Sequence, residues 1–393
     1  MTMEATMPDD IGDPSNPPPL TYVEFYSGIG GWTMALQEAV EAAGGSITLR
    51  RMAALDHSDL CTIVMEHNFA NDPSEKKRKR QEKYSIETLS LEQAHAWAAD
   101  IWTMSPPCQP HTRQHENQLN DLDDIRSTSF LNLCHLLSHM DVKKLPKLIL
   151  LENVVGFELS GSFERWRTAL EMRGYKTDHF HLTPTQVGLP NDRPRYYCVA
   201  VLTSLDGHGF METNDTKSPV NIHQSLPNIR PLDDVSDLPP ISSFLDDSKE
   251  DTESLLVSPK ILYSHSSWCF DIVTPTSQRS SCFTSSYGRF IKGTGSVLYT
   301  GKAGKDTLVL QTPSDRQFQA NWKEDLDNLE KTLRYFSGSE IARIMGFPDD
   351  FTFPATISLK QQWKLLGNSL NVKVAAKVSD LGLRMAFGEH FNE

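Results

Sequence analysis

A strand, helix and strand pattern near the start of the chain places the strongest constraint on the fold. Residues 21–26 have the apolar character of a buried strand and lead into the glycine-rich turn 27–31. Helical periodicity follows and ends at Gly44, and residues 46–55 predict a second strand closed by Asp56. Two strands joined through a helix in this way lie parallel, with a right-handed crossover. We therefore predict an α/β fold built on a mostly parallel sheet.

Two later strands of the predicted sheet also end in chemically interesting segments. Residues 101–104 predict a strand that runs into the loop of Cys108, and residues 148–151 predict a strand that carries Glu152 at its C-terminal end. A further strand is predicted over residues 196–202. Ligands of open α/β sheets bind beyond the carboxyl ends of the strands. We therefore expect the glycine turn, Cys108 and Glu152 to meet at one edge of the sheet.

The second half of the chain changes character along its length. Residues 203–260 are rich in Pro, Ser and Asp and predict an acidic linker or a loose excursion. Residues 261–334 combine aromatic and β-branched runs without helical periodicity, which indicates a small mixed domain. Helical patterns return after Ser337, with helices predicted over residues 361–366 and 372–386.

Composition excludes several classes of protein. The six cysteines are scattered without a CxxC pair, which argues against a disulfide framework or a thiol-rich zinc site. His111 and His115 lie four residues apart without a third ligand nearby, so we predict no metal. No apolar run approaches the roughly 20 residues of a membrane span, and the acidic, proline-rich residues 1–19 predict a disordered tail rather than a signal peptide. We expect a location in the cytoplasm, the nucleus or both.

The net charge of −13 argues against a surface covered with basic residues for nonspecific nucleic-acid binding. It leaves a local basic groove possible, because part of the negative charge is concentrated between residues 233 and 253.

The glycine turn favours a nucleotide-containing cofactor without identifying it. Its glycines allow close approach of backbone N–H groups to a ligand at a helix N-terminus. Thr33 stands where the third glycine of a dinucleotide fingerprint would be, and an ordinary tight turn explains the segment equally well by itself. Asp56 after the second strand can accept hydrogen bonds from ribose hydroxyls, which favours an adenosine-containing cofactor.

Cys108 lies in the sharpest local motif, PPCQP at residues 106–110. Prolines on both sides stiffen the loop and keep it out of helices and strands. A free cysteine is more often an inert buried residue, but Arg113 nearby would favour the thiolate over a thiol with a pKa of about 8.5. We predict that Cys108 is a nucleophile and that the other cysteines are structural, with Cys282 the least certain among them.

Charged residues at two further strand ends are ambiguous when each is taken alone. Taken alone, Glu152 is better explained as a helix cap or a surface ion pair than as a catalytic group. Arg193 and Arg195 lie two residues apart, so an extended backbone points both toward the same side, where an anion or a base carbonyl would bind.

Together these segments resemble the cytosine-5 methyltransferases, and among them the DNA-methyltransferase homologues that act on tRNA, the "type 2" family. The motifs that carry the resemblance to the superfamily are FYSGIGG at 25–31, PPCQP at 106–110, ENV at 152–154, QVGLPN at 186–191 followed by both arginines, and GNSLNV at 367–372. The resemblance to the tRNA family rests on CFT at 282–284, GTGSVL at 293–298, LRYF at 333–336 and IMGFP at 344–348. It covers residues 20–390.

The resemblance implies a role for each site residue. Cys108 would add to cytosine C6, Glu152 would hold N3 and the exocyclic amine, and Arg195 together with Arg193 would orient the base. Carbon 5 would then take the methyl group of S-adenosylmethionine, and elimination would free the cysteine. The residues implied to line the cofactor pocket are Phe25, Ser27, Gly28, Gly30, Gly31, Asp56, His57, Ile86, Glu87, Pro107, Asn368 and Ser369.

The resemblance also implies a Rossmann-like methyltransferase fold whose last helix returns to the first strand. The catalytic domain would then be discontinuous, comprising residues 20–202 and 335–390, with residues 261–334 as a small target-recognition domain.

Three features depart from the family pattern. His111 replaces the usual Phe beside Cys108, residues 76–80 form a basic insertion, and the acidic stretch 203–260 is longer than typical. The preferred hypothesis is a monomeric enzyme that methylates the anticodon loop of tRNA-Asp, since looped RNA exposes bases at low cost. The alternatives are DNA methylation by the same chemistry and a nucleic-acid-binding homologue without turnover.

Overall fold

The computed structural model describes residues 18–44, 47–70, 85–107, 127–203, 219–227, 229, 237–246, 252–301 and 329–388. Its strands are β1 (Leu20–Phe25), β2 (Leu49–Leu55), β3 (Ile101–Met104), β4 (Leu148–Val154), β5 (Tyr175–Leu182), β6 (Asn191–Asp192), β7 (Arg195–Leu202), β8 (Ile222–His223), β9 (Asp271–Val273), β10 (Ser280–Ser281), β11 (Ser296–Tyr299) and β12 (Leu333–Arg334). Its helices are α1 (Gly31–Ala42), α2 (Asp59–Phe69), α3 (Leu91–Trp97), α4 (Thr128–His139), α5 (Gly161–Met172), α6 (Pro259–Leu262), α7 (Gly338–Ile344), α8 (Leu359–Asn368) and α9 (Val372–Phe387).

The central sheet has the strand order β2-β1-β3-β4-β7-β5-β8. The first four strands in this order run parallel, whereas β7 is antiparallel to both of its neighbours. The predicted mixed, mostly parallel sheet is therefore confirmed. The second strand begins at Leu49 rather than at residue 46, where its register with Leu20 of β1 starts.

Side chains of the sheet alternate between two apolar cores. Tyr22 and Leu148 belong to the core on the face covered by α1, α2 and α9, and Val23 and Ile149 belong to the core on the face covered by α4 and α5. Because successive strand residues point to opposite faces, this alternation fixes the side on which each polar residue at a strand end will lie.

The C-terminal helix packs against the N-terminal part of the fold, mainly on the first helix, whereas the resemblance implied a return to the first strand. Helix α9 packs on α1 and on strands β4 and β7. A Cβ atom at Gly382 would lie 2.9 Å from Leu148 and 3.0 Å from Leu150, so the glycine lets the helix approach the sheet closely. No helix in the described ranges is long and apolar enough to cross a membrane.

The region between β7 and α7 is more closely packed than its composition predicts. Strands β9, β11 and β12 form a small sheet, and β8 adds to the edge of the central sheet. Leu226, Ile241 and Leu255 are buried in the same core as α1. The described parts of residues 203–260 thus differ from the expected loose excursion, because their few apolar residues reach the main core. The domain boundaries remain predictions.

Candidate active site

Four strand ends meet at one edge of the central sheet. The C-terminal ends of β1, β3 and β4 lie side by side because these strands are parallel. The antiparallel β7 contributes its first residue, Arg195, which lies opposite Val154 at the end of β4. This edge collects the turn after β1, the loop after β3 and the charged residues of β4 and β7.

The residues that lead to the predicted nucleophile are held from two sides. The Ser105 hydroxyl accepts a hydrogen bond from the Trp32 indole nitrogen of α1 at 3.0 Å. The Asn153 amide donates to the Pro106 carbonyl at 3.3 Å. Pro107 is exposed and is the last described residue of this loop. Cys108 lies outside the described residues, as do His111, Arg113, His115 and the basic run 76–80.

Glu152 and Arg195 form an ion pair on the face of the sheet that carries α1. Glu152 is 7% exposed, and its Oε1 lies 3.4 Å from Arg195 Nε. Glu152 pairs with Tyr197, two residues after Arg195, so the period of two brings the carboxylate and the guanidinium to the same face. A carboxylate and a guanidinium therefore lie together next to the end of β3, where the loop of residues 105–107 begins.

Arg193 has a different environment from Arg195. It is 3% exposed, and Nη1 donates to the Phe283 carbonyl at 2.7 Å. Its Nη2 donates to the carbonyls of Gly367 at 3.0 Å and Ser369 at 2.5 Å. Arg193, which lies between β6 and β7, thus connects this part of the chain to two segments that are distant in sequence, and its guanidinium donates to backbone carbonyls.

Cys282 lies between the two arginines, and sequence reasoning assigned it only a structural role. Its Sγ is 3.2 Å from Arg193 Nη1 and 3.8 Å from Arg195 Nη2. Burial by itself would raise the pKa of this thiol, but the positive charges of both arginines outweigh burial and hold the pKa below its usual value. Both arginines therefore point to the same side, as their spacing predicted.

The juxtaposition follows from a short strand pair. Strand β6 pairs in parallel with β10, with Asp192 opposite Ser281. The Asn191 amide strengthens this pairing by donating to the Ser281 carbonyl at 3.0 Å. The next residue on each strand is Arg193 or Cys282, so the pairing places the two together. No local sequence signal reveals this contact, because 89 positions separate the partners.

The turn after β1 has a backbone that suits a bound ligand. Gly28 has φ +52°, and a Cβ atom added there would meet nothing within 4 Å. Asp56 Oδ2 accepts from the Gly28 N–H at 2.9 Å, and Oδ1 accepts from the Ser58 N–H at 2.8 Å. Ser27 N–H donates to the Leu55 carbonyl at 3.0 Å. Asp56 therefore fixes the turn, and open space remains above Gly28.

The other glycines of the turn allow close packing instead. A Cβ atom at Gly30 would lie 2.6 Å from Met65 Sδ and 2.7 Å from the Phe69 ring. At Gly31 it would lie 3.0 Å from Leu370 and 3.4 Å from Ser369 Oγ. The C-terminal segment thus contacts the turn, which brings the predicted cofactor residue Ser369 next to Gly31.

The remaining predicted cofactor residues differ in how deeply they are buried. Ile86 is buried, and its carbonyl accepts from the Asn132 amide at 2.8 Å. Burial raises the pKa of the Tyr26 hydroxyl, which directly follows β1. The charge of Glu87 raises the same pKa to a smaller extent. The remaining ones differ in exposure: His57 and Asn368 are exposed, and Phe25 is fully buried against Trp102.

Glu24 is a buried acid beneath the turn that sequence reasoning missed. It is 1% exposed, and burial raises the pKa of its carboxyl to about 7 despite hydrogen bonds and the nearby Arg51, which lower it. Oε1 accepts from the Trp32 N–H at 3.2 Å, and Oε2 accepts from the Thr33 hydroxyl at 2.6 Å. The acid caps α1 from below. The sequence signal for this buried acid was a glutamate within a strand that is otherwise mostly apolar.

No group of three or more His, Cys, Asp or Glu side chains within the described ranges is arranged to hold a metal ion.

Comparison with known proteins gives a consistent result. The chain matches the family described as C-5 cytosine-specific DNA methylase over residues 20–380. A human protein named tRNA (cytosine(38)-C(5))-methyltransferase is 34% identical over 92% of this chain and 98% of the relative. A Dictyostelium discoideum protein named DNA (cytosine-5)-methyltransferase is 32% identical over 91% of this chain and 93% of the relative. A crystal structure of a mutant DNMT2 from Spodoptera frugiperda matches with a TM-score of 0.70 and 31% identity, covering 94% of this chain and 99% of that one.

Proposed function

Because the chain belongs to the C-5 cytosine-specific DNA methylase family, whose members use S-adenosylmethionine, we propose that it methylates carbon 5 of a cytosine in tRNA. The observation that carries the proposal is the meeting of the anchored loop 105–107, Glu152 and Arg195 at one edge of the sheet. That arrangement supplies a position for a nucleophile beside a carboxyl group and a cation.

In the proposed reaction the Cys108 thiolate forms a bond to C6 of the cytosine. Cytosine is a weak electrophile at C6, so Glu152 would hold a proton at N3 and withdraw electrons from the ring. Arg195, fixed by Glu152 and Cys282, would orient the base. Loss of the C5 proton after methylation would then eliminate Cys108 and restore the ring. Because Arg193 bonds to backbone carbonyls, we assign it a positioning role instead of contact with the base.

The turn after β1 fits S-adenosylmethionine, which when bound supplies the methyl group. Gly28 leaves open space beside the backbone, and a carboxylate, Asp56, stands at the end of the adjacent strand. We propose that these residues and Ser369 hold the cofactor. The parallel pairing of β1 with β3 supports this assignment, because it brings the turn after β1 next to the loop that precedes Cys108.

The preference for tRNA rests on the relatives. Human and Schizosaccharomyces pombe relatives are both named for methylation of tRNA cytosine 38. Unpaired bases of an RNA loop can enter a pocket at lower cost than bases of a duplex. We extend the proposal to the anticodon loop of tRNA-Asp and to a monomeric enzyme of the cytoplasm or the nucleus. DNA remains the second candidate because the Dictyostelium relative is named as a DNA methyltransferase.

The test is transfer of labelled methyl groups from S-adenosylmethionine to bulk tRNA, to a tRNA-Asp transcript and to genomic DNA. We expect label in tRNA alone, complete loss with Cys108→Ala, and no loss with Cys269→Ala, which removes a partly exposed thiol elsewhere. Label in DNA alone would indicate that the substrate is DNA and not tRNA. An absence of label in all three, with cofactor still bound, would favour a homologue without turnover.

A further inference from the structure

An exposed aromatic residue marks the loop that follows Cys282. We call residues 285–293 the Phe290 loop. The Phe290 side chain is 56% exposed, and the guanidinium carbon of Arg289 lies 5.1 Å from the centroid of its ring. Lys292 is also exposed. A large apolar ring is thus held at the surface beside a cation.

The exposure of Phe290 does not come from a loosely held backbone. Its N–H donates to the Ser286 carbonyl at 3.2 Å, and its carbonyl accepts from the Thr294 hydroxyl at 2.7 Å. The neighbouring Tyr287 is 4% exposed, and its hydroxyl donates to the Ser296 carbonyl at 2.6 Å and accepts from the Phe336 N–H at 3.1 Å. The loop is therefore anchored in the core while the ring stays outside.

A glycine extends this anchoring. Gly288 has φ +72°, and a Cβ atom there would lie 2.3 Å from the Trp363 ring. Only glycine allows the backbone to pass this ring at that distance. The chain turns outward directly after this contact, which presents Arg289 and Phe290 on a fixed support.

The Phe290 loop is continuous with the candidate active site. It begins three residues after Cys282, whose sulfur contacts Arg193 and Arg195. The residues that flank the loop are joined by a hydrogen bond from the Thr284 N–H to the Thr294 carbonyl at 2.9 Å. The exposed ring therefore lies on the segment that also holds the arginine proposed to orient the target base.

The charge of the loop is opposite to that of the whole chain. Residues 285–293 contain Arg289 and Lys292 and no Asp or Glu, whereas the chain carries a net charge of −13. A local positive charge beside an exposed ring complements a nucleic-acid strand, which presents phosphates and flat bases.

We propose that Phe290, with Arg289 at its ring, forms a stacking platform for an unpaired RNA base next to the target cytosine, and that Lys292 faces the adjacent phosphate. The inference rests on the proposed function and names the surface that selects a looped substrate. When the target cytosine leaves its stack, its neighbour loses a stacking partner. A preorganised ring replaces that partner at little entropic cost.

The test compares Phe290→Ala and Phe290→Trp with Met172→Ala. Met172 is a matched control because it is 59% exposed and ends α5, at the opposite edge of the sheet. Binding is measured by fluorescence anisotropy with an RNA hairpin that carries the anticodon-loop sequence of tRNA-Asp. We expect Phe290→Ala to bind the hairpin about tenfold more weakly. Phe290→Trp should bind it nearly as well as wild type, and Met172→Ala should bind it unchanged. All three variants should bind S-adenosylmethionine with wild-type affinity.

Unchanged hairpin binding by Phe290→Ala, or an equal loss of binding to fully paired RNA, would overturn the inference. Turnover separates the inference from the proposed function. In kinetics with tRNA, Phe290→Ala should raise KM about tenfold and leave kcat near wild type. If wild type fails to methylate tRNA while hairpin binding still depends on Phe290, the proposed function fails and the stacking platform stands.

Discussion

The two sides of the candidate active site are built by different means. On the cofactor side, glycines and backbone N–H groups shape the turn after β1, and Asp56 fixes it through two hydrogen bonds. On the base side, Arg195 forms an ion pair with Glu152 and lies 3.8 Å from the Cys282 sulfur. Apart from Ser369, the first side is built from residues 27–58, whereas the second depends on pairing between distant strands. Substitutions should therefore act locally on the first side and through the partners on the second.

The largest expected effect is on the base side. Glu152→Gln keeps the size of the side chain but removes both the group that can exchange a proton with N3 and the negative charge beside Arg195. We expect methyl transfer to fall about 10²- to 10⁴-fold, with S-adenosylmethionine affinity within twofold of wild type. Single-turnover kinetics and cofactor titration measure the two quantities, and circular dichroism checks the fold. A rate near wild type would remove Glu152 from the proposed mechanism.

The two arginines should respond differently to the same substitution. Arg193→Lys leaves some of the carbonyls of Phe283, Gly367 and Ser369 unpaired, because an ammonium cannot reproduce the planar fork. We expect it to lower the free energy of unfolding by about 3 kcal/mol. Lysine keeps the positive charge beside Glu152 but loses the planar fork, so Arg195→Lys should lower kcat by about tenfold and change stability less than Arg193→Lys does.

Urea denaturation together with steady-state kinetics separates these outcomes. Equal stabilities of the two variants would contradict the division between a positioning and an orienting arginine.

The two sides also differ in how far the sequence could predict them. The turn, Asp56 and the strand ends followed from glycine positions and strand periodicity, which are local signals. The family and its cofactor followed from motifs that the family match confirms. Cys282 was predicted to be structural because the sequence does not reveal the pairing of β6 with β10, which brings this thiol to Arg193. The same limit applies to Arg193, since the carbonyls that it binds lie 90 to 176 residues away.

The smallest expected effect distinguishes two glycines of the same turn. Gly28→Ala places a methyl group in open space at φ +52°, so it should cost only about 1 kcal/mol of stability. That methyl group would enter the space proposed for S-adenosylmethionine, and we expect about tenfold weaker cofactor binding, equal to about 1.4 kcal/mol.

Gly30→Ala should show the reverse pattern. Its methyl group would overlap Met65 and Phe69 at a backbone φ of +89°, which should cost about 2–3 kcal/mol of stability. Folded protein should still bind the cofactor within threefold of wild type, because the overlap lies on the helix α2 side of the turn. Isothermal titration below the unfolding temperature measures both affinities. If Gly28→Ala binds S-adenosylmethionine as tightly as wild type, the open space beside Gly28 is not the cofactor site.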